Sequence, residues 1–262
     1  MSMLETITRG KTLKPPRIII YGTEGVGKST WASQAPNPVF VQTEDGINEI
    51  DTAKFPLARN YDDVTNALAA LRDEPHDFRT IVVDSLSGLE PMIWQEVCRE
   101  AGVNSIERVD GGFGKGYVIA CKWWMRFRDL LQELNDRRGM IVILIAHMGV
   151  MEVKDPESQT YDRTCPRLHK KAVAIMTQWA DAVFQAKQKF RVQKTGAGLS
   201  ERGIAVPTGA DGGERVLRTI GNAAIVSKNR WGLPSEIPLS WHDFMDAYTA
   251  GIASPQGGEA NG

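Results

Sequence analysis

The chain has 262 residues, 42% of them hydrophobic and 24% charged, and its 31 Lys and Arg against 32 Asp and Glu leave a net charge of −1. That balance excludes a disordered, fibrous or uniformly basic protein. The longest apolar run, Ile141 to Ala146, is far short of the roughly 20 residues a membrane helix needs, so no membrane partner is expected. Met1 to Arg17 contains no apolar run, and no secretory leader is expected. Cys98, Cys121 and Cys165 are odd in number and unpatterned, which favours a reduced, cytoplasmic setting over a disulfide scaffold.

In chain order, Arg17-Ile-Ile-Ile-Tyr21 is a β-branched run between Pro16 and Gly22 and predicts a buried strand. A glycine-rich turn leads into a helix over 28–35, which Pro36 and Pro38 stop. Strands follow at 39–42 and 80–84, with a helix between them over 62–71 that Asp62 would cap. Helices are expected over 89–100 and 117–135, separated by a loop at 102–116, and a buried strand over 140–146. The segment Lys122–Arg128 is aromatic and basic. Trp123, Phe127, Leu130, Leu131 and Leu134 nevertheless recur at helical spacing, which predicts a packed amphipathic helix. A helix over 170–180 leads to strands at 182–186, 189–194, 214–220 and 223–227, and Ser240 with Asp243 opens a last helix. Alternating strands and helices predict a mainly parallel twisted sheet with helices on both faces, extended by antiparallel C-terminal hairpins. The expected organisation is an arm over 1–16, one α/β core over 17–250 and a flexible tail over 251–262.

Gly22-Thr23-Glu24-Gly25-Val26-Gly27-Lys28-Ser29 fits G-x-x-x-x-G-K-[ST], the phosphate-binding loop. Its glycines let backbone N–H groups turn toward phosphate oxygens, and the following helix, from Lys28 through Thr30, presents its positive end to them. Lys28 would neutralise the β- and γ-phosphates of ATP, and the Ser29 hydroxyl would ligate Mg²⁺. Asp84, at the carboxyl end of Ile81-Val-Val, suits the second metal-holding position. Hydrolysis also needs a group to orient or deprotonate water. Glu44 and Asp45 both follow the strand at 39–42, and spacing alone does not separate them. Cys165 and His169 have ligand-like spacing without a second pair, so no zinc site is expected.

With these motifs in place the chain resembles the RecA-like ATPases over roughly residues 17–245. The resemblance is to phage-encoded ATP-binding proteins with such a core, which act in single-strand annealing and recombination. It implies Glu44 as the base that activates water, with Asp45 in reserve, and His147 as the γ-phosphate sensor at the end of its strand. Lys228-Asn229-Arg230-Trp231-Gly232 resembles the K-x-R segment of RadA and the DnaB-type helicases. In those families the basic pair reaches a neighbouring subunit's γ-phosphate, so Lys228 and Arg230 imply a homo-oligomer, ring or filament, with ATP at the interface.

The same resemblance implies two DNA-contacting loops, here 102–116 with Phe113 and Lys115, and 148–171 with Arg163, Arg167, Lys170 and Lys171. Charge agrees with this placement: Arg163 to Arg230 holds 13 Lys and Arg against 4 Asp and Glu, a balance of +9, and the remainder carries −10. Lys187, Lys189, Arg191 and Lys194 extend the basic block. The expected activity is Mg-ATP hydrolysis, stimulated by single-stranded DNA, in phage recombination within the host cytoplasm. Single-stranded DNA, further copies of the chain and a single-strand binding protein are the expected partners. A helicase-like or DNA-packaging accessory motor is the first alternative, and a P-loop phosphotransferase the second.

Overall fold

Ten strands form one sheet that carries the molecule. The computed structural model describes residues 3–7, 14–154, 159–195, 202–208 and 213–253. The elements run β1 (Arg17–Gly22), α1 (Lys28–Ser33), β2 (Pro38–Gln42), β3 (Ala53–Lys54), α2 (Tyr61–Asp73), β4 (Thr80–Asp84), α3 (Leu86–Ala101), α4 (Lys115–Arg138), β5 (Ile141–Val153) and β6 (Tyr161–Pro166). Then come α5 (Lys170–Trp179), β7 (Ala182–Gln188), β8 (Phe190–Thr195), β9 (Arg202–Pro207), β10 (Arg215–Arg218), β11 (Lys228–Asn229), β12 (Glu236–Pro238) and α6 (Trp241–Ala253). Short 3₁₀ turns occupy Met3–Thr6 and Ile106–Gly111.

The sheet order is β12-β10-β7-β1-β5-β4-β2-β3, and every pairing from β7 to β3 is parallel. β10, β11 and β12 add antiparallel strands at the β7 side, as the C-terminal hairpins predicted. β8 and β9 form a separate hairpin. The α/β class expected from the alternation of elements is therefore the class observed.

Strand alternation sorts the core into two layers. Ile19, Tyr21, Val83 and Leu144 face the helices α2 to α5, among Trp124, Phe127 and Leu131. Ile18, Ile20, Val82 and Ile143 face α1 and α6, where Trp31, Trp241 and Phe244 meet with ring centroids 4.9 to 5.6 Å apart. Trp123, Trp124, Phe127, Leu131 and Leu134 are all buried, so the aromatic and basic segment is a packed helix face. None of the described helices is long and apolar enough to cross a membrane.

Three expectations change. The cap of α2 is Asn60, whose side chain accepts from Asp63 N at 2.8 Å, with Asp62 inside the first turn. The 148–171 loop is largely a β-hairpin, because β5 runs on to Val153 and pairs with β6 from Met148↔Pro166 to Val153↔Tyr161. The strand expected at 223–227 reduces to isolated bridges made by Ile225, and regular pairing starts only at Lys228. α6 continues to Ala253, and the last nine residues lie outside the described ones.

Candidate active site

Strands β1, β4 and β2 end on one edge of the sheet, and β5 crosses that edge at His147, the register partner of Gly22. This carboxyl edge is where open α/β sheets gather ligands. The loop Gly22–Ser29 leaves β1 there and turns into α1. Thr23, Glu24, Gly25 and Thr30 are exposed, whereas Val26 anchors the loop in the core.

Lys28 is only 7% exposed. Its Nζ donates to the Gly22 carbonyl at 3.0 Å and the Thr23 carbonyl at 2.8 Å. Burial pulls its pKa below the usual lysine value, and Asp84, Glu24 and Glu44 pull it back up. Backbone carbonyls solvate the ammonium here, and anionic phosphate oxygens would do so more strongly.

Ser29 Oγ donates to Asp84 Oδ2 at 2.6 Å. Burial raises the Asp84 pKa, opposed by the Ser29 hydroxyl and by Lys28. A hydroxyl touching a carboxylate, both hard oxygen donors on one side of the phosphate loop, fits a magnesium ion.

The acids after β2 separate in space. Thr43 Oγ1 donates to Ser85 O at 2.6 Å and accepts from Ser85 N at 2.8 Å, joining the exits of β2 and β4. Glu44 then faces the site, its Oε2 accepting from His147 Nε2 at 2.7 Å. Asp45 turns to the surface, where its Oδ1 accepts from Asn48 Nδ2 at 2.7 Å. The other ring nitrogen of His147 lies 3.3 Å from Glu24 Oε1, without hydrogen-bond geometry. The imidazole thus stands between an acid of the phosphate loop and the acid after β2.

Two serines missed by sequence reasoning hold this arrangement. Ser85 Oγ caps α3 by accepting from Gly88 N at 3.0 Å. Ser87 Oγ accepts from His147 N at 3.1 Å and donates to Arg167 O at 3.2 Å. Ser85 three residues before Gly88 was a readable helix start. The Ser87 contacts span 60 and 80 residues and left no local signal.

A family model described as an AAA domain matches residues 14–231. The chain belongs to this AAA-domain family. That match covers the phosphate loop and Asp84, and it places the chain in an ATPase-type family. The SPbeta prophage-derived uncharacterized protein YorG of Bacillus subtilis (strain 168) is 24% identical over 200 residues, covering 73% of this chain and 58% of that protein. The chain therefore spans a little over half the length of that relative. A crystal structure of the RadB recombinase aligns over 88% of this chain and 90% of that one, with a TM-score of 0.48 and 13% identity.

The remaining candidates fall in different places. Arg167, one of the expected DNA contacts, lies beside the phosphate loop: its guanidinium is 3.9 Å from Glu24 Oε1 and close enough to depress the Lys28 pKa further. Lys228 does not project outward as the K-x-R resemblance implied. Its Nζ donates to the carbonyls of Thr177, Gln178 and Ala180 at 3.0, 3.1 and 2.6 Å, so all three donors cap the end of α5. Arg230 is half exposed and touches Asp181 at 3.3 Å, an acid already held bidentately by Arg17.

Arg163 is engaged within the chain, donating to Ala223 O at 2.6 Å and to the Tyr161 hydroxyl at 2.9 Å. Lys187, Lys189 and Arg218 all pair with Glu236, and Lys189 also with Glu214, so these three cations are engaged within the chain. Lys194 has no described side chain, and Arg191 is exposed. Phe113, by contrast, is fully exposed at φ 54° between glycines. Lys115 reaches Asp110 at 3.1 Å, and Lys170 and Lys171 are exposed in the first turn of α5.

Proposed function

We propose that this chain binds Mg-ATP, hydrolyses it and couples hydrolysis to single-stranded DNA in phage recombination, annealing or pairing strands as a homo-oligomer in the host cytoplasm. The observation that carries the reading is the convergence of Lys28, the Ser29–Asp84 pair and the Glu44–His147 pair at one sheet edge. Lys28 holds the terminal phosphates, Ser29 and Asp84 hold Mg²⁺, and Glu44 takes a proton from the attacking water. When bound, the metal neutralises charge on the phosphate oxygens. His147 orients Glu44 and reads the terminal phosphate, and Arg230 serves a neighbouring subunit's site.

The DNA reading rests on the helix starts of α4 and α5. Tyr117 stacks on His169 with ring centroids 4.2 Å apart, which brings Lys115 and the Phe113 tip near Lys170 and Lys171. Two lysines in the first turn of a helix oppose its dipole, so their placement favours an external anion over local stability. An exposed aromatic beside cations is the chemistry that stacks unpaired bases and holds phosphates.

The test is the ATPase rate and assembly size with and without single-stranded DNA, repeated across salt concentrations. Stimulation is expected, with affinity falling as salt rises and the log–log slope shrinking by about 1.4 in a Lys170→Ala/Lys171→Ala variant. A rate indifferent to DNA, or a flat salt response, refutes the reading. Annealing without directional unwinding separates it from a helicase-like motor.

A further inference from the structure

The acids of the site all lie on one flank of the phosphate loop, toward β5, β4 and β2. The opposite flank, toward β7 and β10, presents a cation. Arg215 opens β10, its carbonyl accepts from Leu239 N at 2.9 Å, and its guanidinium turns onto the loop. Nη1 lies 3.3 Å from the point a Cβ on Gly27 would occupy, and Leu239 Cδ2 lies 3.4 Å from it. Gly27 itself has φ 106°, so both the backbone conformation and the space above it call for glycine.

Arg215 differs from the cations around it. Lys187 on β7, Lys189 just past its end and Arg218 on β10 are all held by Glu236. Arg215 is exposed and, among the described residues, has no carboxylate at ion-pair distance. A guanidinium set against a phosphate-loop backbone, with no carboxylate partner among the described residues, is placed to meet an external anion. Ser29 and Asp84 mark the metal side, where the β- and γ-phosphates meet the ion, and the loop backbone cradles the α- and β-phosphates. A cation on the far flank from the metal pair therefore addresses the nucleoside end.

We propose that Arg215 is a nucleotide-binding residue that holds the α/β-phosphate end of the ligand from its own subunit, with Leu239 as an apolar wall beside the nucleoside. The inference rests on the nucleotide reading of the phosphate loop. It makes the antiparallel β10–β12 extension part of the nucleotide site, so the extension does more than close the sheet.

The test is the dissociation constants of ATP and ADP for the full chain and for Arg215→Ala, Arg215→Lys and Lys28→Ala. Loss of one charge-assisted contact should weaken ATP and ADP alike by about ten-fold or more in Arg215→Ala, with partial recovery in Arg215→Lys. Its melting temperature should match the parent, because the side chain has no ion-pair partner in the described fold. Unchanged affinity in Arg215→Ala alongside lost binding in Lys28→Ala overturns the proposal and leaves the phosphate-loop reading standing. Retained binding in Lys28→Ala overturns that reading instead. Weakening of ATP alone refutes the α/β assignment, since it would place the cation on the γ-phosphate.

Discussion

Replacing Gly88 by alanine probes how the proposed base is positioned while leaving every group assigned to chemistry in the sequence. An added Cβ would sit 2.5 Å from Thr43 Oγ1, 2.7 Å from Glu44 Cγ and 3.0 Å from Thr43 O. Ordinary contact begins near 3.4 Å, so about 0.9 Å must open at the hydroxyl. Thr43 cannot yield freely, because its Oγ1 makes both hydrogen bonds to the Ser85 backbone. The strain falls on the joint between the exits of β2 and β4, and Glu44 moves with it. Overpacking of one methyl costs about 1–3 kcal/mol, which for a chain of this size lowers the melting temperature by roughly 2–12 °C. A displacement near 1 Å at a catalytic group costs on the order of 100-fold in rate. Nucleotide affinity should change little, since Lys28 and the loop lie across the site. The assay is kcat for ATP hydrolysis beside ATP affinity and thermal unfolding. A variant with parental kcat and melting temperature refutes the positioning argument.

Further outcomes are expected. Burial raises the Glu90 pKa from 4.5 to about 7, although the His169 N–H opposes the shift. The folded state therefore binds more protons than the unfolded one between those values, and stability falls as pH rises through that window. Arg167, His169 and Lys170 line the cavity that Glu90 faces. Denaturant titrations of Glu90→Gln should show the variant gaining roughly 2–3 kcal/mol on the parent from pH 4.5 to 7.5, and a pH-independent difference refutes this. Phe127→Ala, at a fully buried side chain in the helix layer, should cost about 3–5 kcal/mol in thermal or denaturant unfolding. A cost below about 1 kcal/mol would mean that the helix layer repacks freely. Mixing inactive Glu44→Gln with inactive Arg230→Ala should restore part of the ATPase rate if Arg230 serves a neighbour's site, and no recovery on mixing removes that role.

The central strands were legible because each is a short β-branched run that ends at a turn or a charged residue. The phosphate loop was legible because its glycine, lysine and serine positions are fixed by phosphate chemistry. β6 was not: Tyr-Asp-Arg-Thr-Cys-Pro has no apolar periodicity, and its order comes from pairing with the outer half of β5. Glu44 and Asp45 were indistinguishable in sequence because what separates them is a histidine 103 residues away. The surroundings of Lys228 and Arg215 were hidden for a similar reason. One is drawn to the carbonyls that end α5 and the other to Gly27, and both destinations follow from how β7, β10 and β11 pair.

β5 passes from the core into the hairpin without a break, and this has a mechanical consequence. Six residues beyond His147, a length of about 20 Å, project as a paired ribbon with no loop at the point of exit. A tilt of about 5° at the histidine would therefore carry the far end through ~2 Å. If the imidazole reads the terminal phosphate as proposed, a tilt of the strand there would be carried to the far end of the ribbon, about 20 Å from the site.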